Sequence, residues 1–271
     1  MTGGARYRAF LVERDGVPDM ARRTLSRREA LFYRLARDPV RSRARVDREA
    51  FVRNLSRRRP EAGLGERMLF LLATAKANQA ERFGVGLAEA YGRVHALSDP
   101  VRVHIALQEV YHTRILGDVC AIFDLPVPPV PPPLVARLIV RTLVATPERW
   151  HLPLTGACEM AGCILFAMLG ERGTTLFADE PAVARRIRAL FDEILGDELG
   201  HVGYIASELG PRKRALMRGL YRLLGPRLAA AMPEVVQLLG RRDITRRFAA
   251  PFPLGAMVAA LPGRAFAAAL V

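Results

Sequence analysis

Glu109-Val110-Tyr111-His112 and Glu198-Leu199-Gly200-His201 are the same pattern, a glutamate followed three positions later by a histidine. Residues three apart on an α-helix stack on one face, so each pair presents a carboxylate beside an imidazole. The chain holds only 5 histidines. Two of them in this pattern, both on predicted core helices, arise by chance on the order of a few per cent of the time. The neighbours sharpen the point. Phe191, Ile194, Leu195, Val202 and Ile205 share the face of Glu198, and Ile105, Ala106, Thr113 and Leu116 accompany Glu109. A carboxylate in an apolar stripe is costly unless its charge is compensated, and a metal cation would do that. Buried Glu–His pairs without metal are the bland alternative.

Around these motifs the pattern is helical throughout. Long helices are expected over about 65–96, 100–123, 153–169 (ending at Gly170) and 181–209 (closed by Gly210-Pro211). Ser98-Asp99-Pro100 reads as a helix start, with Ser98 as cap, Asp99 at the positive end and Pro100 in the first turn. Residues 1–20 read as irregular, followed by short basic helices at about 24–37 and 46–57. Pro126 to Pro133 cannot be helical and reads as a stiff extended tether. Further helices are expected at 134–146, 212–224 and 226–240, before an apolar, proline-punctuated tail. No strand is convincing. The fold class is all-α with a four-helix core, organised as a basic helical stretch (1–60), the bundle (61–210), and C-terminal helices with an apolar tail (211–271).

Two Glu-x-x-His motifs on core helices resemble the ferritin-like di-iron carboxylate superfamily, over about residues 65–209. The resemblance implies a ferritin-like four-helix bundle with one further glutamate on each of the two other core helices. Glu159 is the one acidic residue of the third core helix and lies between the motifs, as the family order requires. Its face, Leu152, Thr155, Gly156, Gly162, Cys163 and Phe166, carries no other charge. On the first core helix Glu81 and Glu89 compete. Glu81 is favoured because Thr74, Ala77, Asn78, Val85 and Ala88 share its face, whereas Glu89 sits with Arg82 and Arg93 as in a surface ion pair. The expected metal ligands, and with them the catalytic centre, are therefore Glu81, Glu109, His112, Glu159, Glu198 and His201.

The chain departs from the family's oxygenase branches, where Asp-Glu-x-Arg-His is common. Asp197-Glu198 is kept, and Asp197 is placed to orient a ligand histidine such as His112, but Gly200 replaces the arginine. The other motif has Gln108 before its glutamate and Tyr111 before its histidine. Both can hydrogen-bond near the site, although Tyr111 reads more simply as a helix-surface residue. His95, His104 and His151 have no partner motif and read as structural.

Four carboxylates and two imidazoles suit iron, with manganese or a mixed Mn/Fe pair as alternatives, better than zinc held by thiolates. In the resembling enzymes two iron ions use O2 as co-substrate to hydroxylate, desaturate or N-oxygenate an organic molecule. The expected activity is thus a di-iron oxygenase or oxidase. A ferritin-like ferroxidase and a metal-free binding or scaffold protein are the alternatives. The small residues Gly156, Gly162 and Cys163 near Glu159 are expected to leave room for substrate. No flavin or ferredoxin motif is present, so electrons are expected from a separate donor.

Charge adds a second theme. The formal net charge is +14, and of 41 Lys plus Arg only Lys76 and Lys213 are lysine. Residues 1–60 hold 17 arginines against 7 acidic residues. Such a field attracts acidic proteins, phosphates or anionic lipids, or is simply a solvated surface. Arg57-Arg58-Arg59 and Arg212-Lys213-Arg214 are candidate docking points for a substrate tethered to an acidic acyl carrier or to coenzyme A. No recognition motif supports nucleic-acid binding. Membrane contact through the tail 248–271 and a homodimer are open alternatives. Three cysteines without a C-x-x-C pair, and no uninterrupted apolar stretch long enough to span a bilayer, read as a cytoplasmic protein.

Overall fold

The computed structural model describes residues 2–95, 99–129, 134–146, 148–263 and 265–266. Among them every regular element is a helix: α1 (Gly3–Asp15), α2 (Ser26–Arg37), α3 (Arg48–Leu55), α4 (Glu66–His95), α5 (Pro100–Ala121), α6 (Leu134–Ala145), α7 (Glu148–Leu176), α8 (Pro181–Glu208), α9 (Pro211–Ala230), α10 (Pro233–Leu239), α11 (Arg241–Ala249) and α12 (Leu254–Ala260). Proline opens α5, α8, α9 and α10, where the N–H it lacks would have had no helical partner. Asp99 caps α5 by accepting from the Val101 N–H at 2.9 Å. Ser98, expected in that role, lies outside the described residues, as do residues 130–133 of the tether.

The four longest helices close a cycle, α4 on α5, α5 on α8, α8 on α7 and α7 on α4. Phe70, Leu71, Ile115, Ile187, Ile194 and Leu199 are fully buried between them. The same apolar cluster takes in Tyr7, Leu11, Phe32 and Phe51 from α1–α3 and Tyr221, Val235 and Phe248 from α9–α11. Each such side chain contributes roughly 1.5–3 kcal/mol by leaving water. The tail follows suit: α12 packs on α8, and the Phe266 ring sits 4.8 Å from that of Tyr7.

Three expectations change. Residues 3–15 form a helix, capped by Thr2 and anchored by the buried Tyr7, Leu11 and Asp15 at helical spacing. Next, α7 starts before Pro153 and runs through Gly170. Pro153 is the sixth residue of α7, past the unpaired N–H groups of the first turn, so the helix forgoes one backbone hydrogen bond there and continues. Gly170 and Gly173 mark close packing rather than an end: a Cβ would lie 3.1 Å from Phe191 at the first and 2.6 Å from Phe70 at the second. Finally, α9 continues through Pro226, where a break was expected. By length and composition, Trp150–Leu176 would suffice to cross a membrane, a stretch the sequence reading passed over. In the fold, 61% of its most apolar window is buried inside the protein.

Candidate metal centre

Glu81 comes from α4, Glu109 and His112 from α5, Glu159 from α7, and Glu198 and His201 from α8. The cycle of four helices brings these side chains together in two overlapping groups. Donor atoms of Glu81, Glu109 and His112 lie within 4.8 Å of one another, and so do those of Glu109, Glu159, Glu198 and His201. The side chain of Glu89, its rival on α4, lies outside the described residues.

Glu109 and Glu198 are shared between the two histidines. Glu109 places Oε2 3.3 Å from His112 Nδ1 and Oε1 3.1 Å from His201 Nδ1. Glu198 places Oε1 3.1 Å from His112 Nδ1 and Oε2 3.9 Å from His201 Nδ1. Glu159 stands on the His201 side at 3.5 Å. Both Nδ1 atoms are buried without a hydrogen-bond partner. The histidine side chains are sealed, while Glu109 and Glu159 keep 22% and 18% exposure. Glu81 of α4 is half-buried as well, so the cluster is most open on the side away from α8.

The outer edges of the imidazoles are held by a second set of groups. His112 Nε2 lies 3.0 Å from Asp197 Oδ2, and His201 Nε2 lies 2.9 Å from Gln108 Oε1. The amide nitrogen of Gln108 donates to Asp15 at 2.9 Å and to Asp197 at 3.2 Å. This fixes the chemistry of His201. Ionised Asp15 and Asp197 only accept, so Gln108 must turn its NH2 toward them and its oxygen toward His201. His201 must then keep a proton on Nε2, so Nδ1, facing the carboxylates, is the nitrogen that can exchange its proton for a metal. The Asp197 carboxylate imposes the same tautomer on His112. Outer partners of this kind are what metal-bound histidines usually have.

Asp15 and Asp197 are kept ionised by the N-terminal helices. Arg14 bonds both aspartates, and the fully buried Arg28 pairs with Asp197 and, at 2.7 Å, with Glu193. His104 closes on Asp15 at 3.3 Å. Although burial opposes ionisation, Arg28 and Arg14 hold Asp197 well below the usual carboxylate range. Inside the cluster the balance differs. Burial pushes Glu81 and Glu198 well up, helped chiefly by the charge of Glu109 on the first and of Glu159 on the second. Burial also disfavours ionised Glu109, but the facing His112 and His201 win and hold it down. Against burial, Glu109 and Asp197 raise His112 to about 10, and Glu109 and Glu159 raise His201 to about 9. Without metal, the site stores protons.

Two sequence readings change here. Tyr111 is buried and far from a surface role: its hydroxyl donates to Glu29 at 2.6 Å and accepts from the Leu25 N–H, tying α5 to the start of α2. Gly156 leaves no room for substrate, because a Cβ there would lie 2.5 Å from Met217 and 2.9 Å from Ile205. At Gly162 a Cβ would make ordinary contact with Phe166 at 3.8 Å and Glu198 at 3.9 Å, so this glycine leaves room for a methyl group and no more. The sequence reading missed Arg14, Asp15 and Arg28. A signal existed for the first two, since Tyr7, Leu11 and Asp15 fall four apart.

The residues fit a pair of divalent cations. Four carboxylates balance four positive charges, and both imidazoles turn Nδ1 inward. No protein-family description matches this chain, and neither a curated protein nor a solved structure resembles it detectably.

Proposed function

We propose that this protein is a non-haem di-iron oxygenase or oxidase of the ferritin-like type, acting with O2 on a small or carrier-tethered organic substrate. One observation carries the reading: two buried Nδ1 atoms, neither with a well-formed hydrogen bond, face a cluster in which Glu109 and Glu198 each turn one oxygen to each histidine. Glu81 and His112 would hold one iron, Glu159 and His201 the other, with Glu109 and Glu198 spanning both. Bound iron would supply the reduction of O2 and the oxidising power to attack an inert C–H, C=C or amine group.

The rest is the work of the chain. Asp197 and Gln108 hold the imidazoles in the ligating tautomer and keep their outer N–H groups from leaving. The sealed α8 side keeps bulk water from Glu198 and the histidines. The half-open side, past Glu81, Glu109 and Glu159, is where substrate would approach. The guanidinium that the resembling enzymes carry at the position of Gly200 is replaced from elsewhere. The Tyr7 hydroxyl would lie 3.1 Å from a Cβ at Gly200, tighter than side chains normally pack, and Arg14 and Arg28 reach Asp197 from α1 and α2 instead. Electrons would come from a separate donor.

The test is elemental analysis by plasma mass spectrometry of protein made with iron supplied, beside Glu109→Ala and Glu198→Ala. We expect about two Fe per chain in the parent protein and a loss in both variants. Reductant-dependent O2 consumption should disappear in step. Two Mn would keep the centre and redirect its chemistry. A parent protein that takes up no metal from any supply would end the proposal.

A further inference from the structure

Helix α9 presents the wrong face to water. Its inner stripe, Met217, Tyr221, Gly225 and Ala229, is buried on α7 and α11. Its outermost line should therefore be polar. Instead Ala215, Leu216, Gly219, Leu223 and Ala230 lie exposed along it, with Leu216 36% and Leu223 51% accessible. Cations frame this strip: Arg212 in the first turn, Arg227 in the last, Lys213 on one flank, Arg222 and Arg218 on the other. The helix contains no acidic residue, and among the described residues none of these five cations makes an ion pair. The adjoining α11 adds the exposed Arg241 and Arg242.

We propose that α9 docks the protein on an anionic lipid bilayer, lying in the plane of the interface. Leu216 and Leu223 would enter the boundary between headgroups and acyl chains, while the flanking arginines reach lipid phosphates with their stems along the apolar surface. Other occupants fit less well. A second copy of the chain would set these cations against the same set. A nucleic acid would want an unbroken line of cations, whereas Leu216, Gly219 and Leu223 separate Arg212 from Arg227 on the outermost line. An acidic protein would need a pocket matched to each leucine, whereas a bilayer receives both without one.

The experiment is co-sedimentation of the full chain with vesicles of phosphatidylcholine alone and of phosphatidylcholine with phosphatidylglycerol. The parent protein should pellet with the anionic vesicles and stay in solution with the neutral ones. Leu216→Ser/Leu223→Ser should lower the partition coefficient by roughly tenfold or more, and Arg222→Glu/Arg227→Glu should abolish pelleting. Both variants alter exposed side chains only, so their circular dichroism and metal content should match the parent's. Failure of the parent to pellet with anionic vesicles overturns the proposal. So does pelleting of the leucine variant equal to the parent's, which would mean that charge alone acts and that the surface serves an acidic macromolecule.

Discussion

Replacing Asp15 by asparagine keeps the shape of the side chain but removes one of the two obligate acceptors that fix the amide of Gln108. An asparagine can donate as well as accept, so only Asp197, at 3.2 Å, still turns the Gln108 oxygen toward His201. We expect Asp15→Asn to weaken metal retention about ten- to a hundredfold, measured by competition with a chelator. Equal retention would mean that the Gln108–His201 bond positions nothing. Titration gives a second handle. The metal-free site holds protons on His112 (about 10) and His201 (about 9), and on the upshifted Glu81 and Glu198. Groups whose folded pKa is raised stabilise the metal-free fold fully only below their unfolded pKa, about 6.5 for histidine, and lose that contribution as pH climbs through the folded value. Metal must displace the same protons, so its binding tightens over that range. The rise in Tm on adding metal should therefore be larger at pH 8 than at pH 6, and calorimetry in two buffers should register released protons. A pH-independent rise would contradict these assignments. The two Glu-x-x-His pairs were legible because helical spacing of three is written in the sequence, whereas Glu81 and Glu159 entered through the resemblance. Asp197 was legible too, by adjacency to Glu198. Asp15 meets Gln108 across 93 positions and Arg28 meets Asp197 across 169, and contacts of that reach leave no periodic trace.

Helix α7 was misjudged at both ends for one reason: glycine and proline were read as punctuation when they serve packing. The glycines can be told apart by substitution. Gly173→Ala would drive a methyl into Phe70 and Ile187, and we expect a cost of about 1–3 kcal/mol by urea unfolding. Gly196→Ala in α8 meets nothing within 4 Å, and should leave stability unchanged or raise it by up to about 1 kcal/mol, since alanine is the better helix former. If both behaved alike, the close approach of α7 to α4 and α8 would be wrong. α1 escaped notice for a different reason. Its buried face ends in Asp15, a charge satisfied by Arg14 and Gln108, so the apolar stripe a reader looks for is only two turns long.

Across the molecule, the glutamate cluster and the outer strip of α9 sort charge in opposite ways. The cluster is carboxylate-rich and backed by the buried Arg28, the strip carries cations alone, and the stretches before and after the long helices, set apart on charge and length in the sequence, share one apolar core with them. The all-helical character followed from composition and periodicity; the course of residues 3–15 did not. That sorting has a practical consequence. Four of the five cations framing the outer strip of α9 are arginine, which keeps its charge at any pH a protein survives. Adhesion to a charged surface would thus be deaf to acidity, while the interior responds to it. A buffer change from pH 6 to pH 8 would load or empty the centre and leave the molecule where it sits.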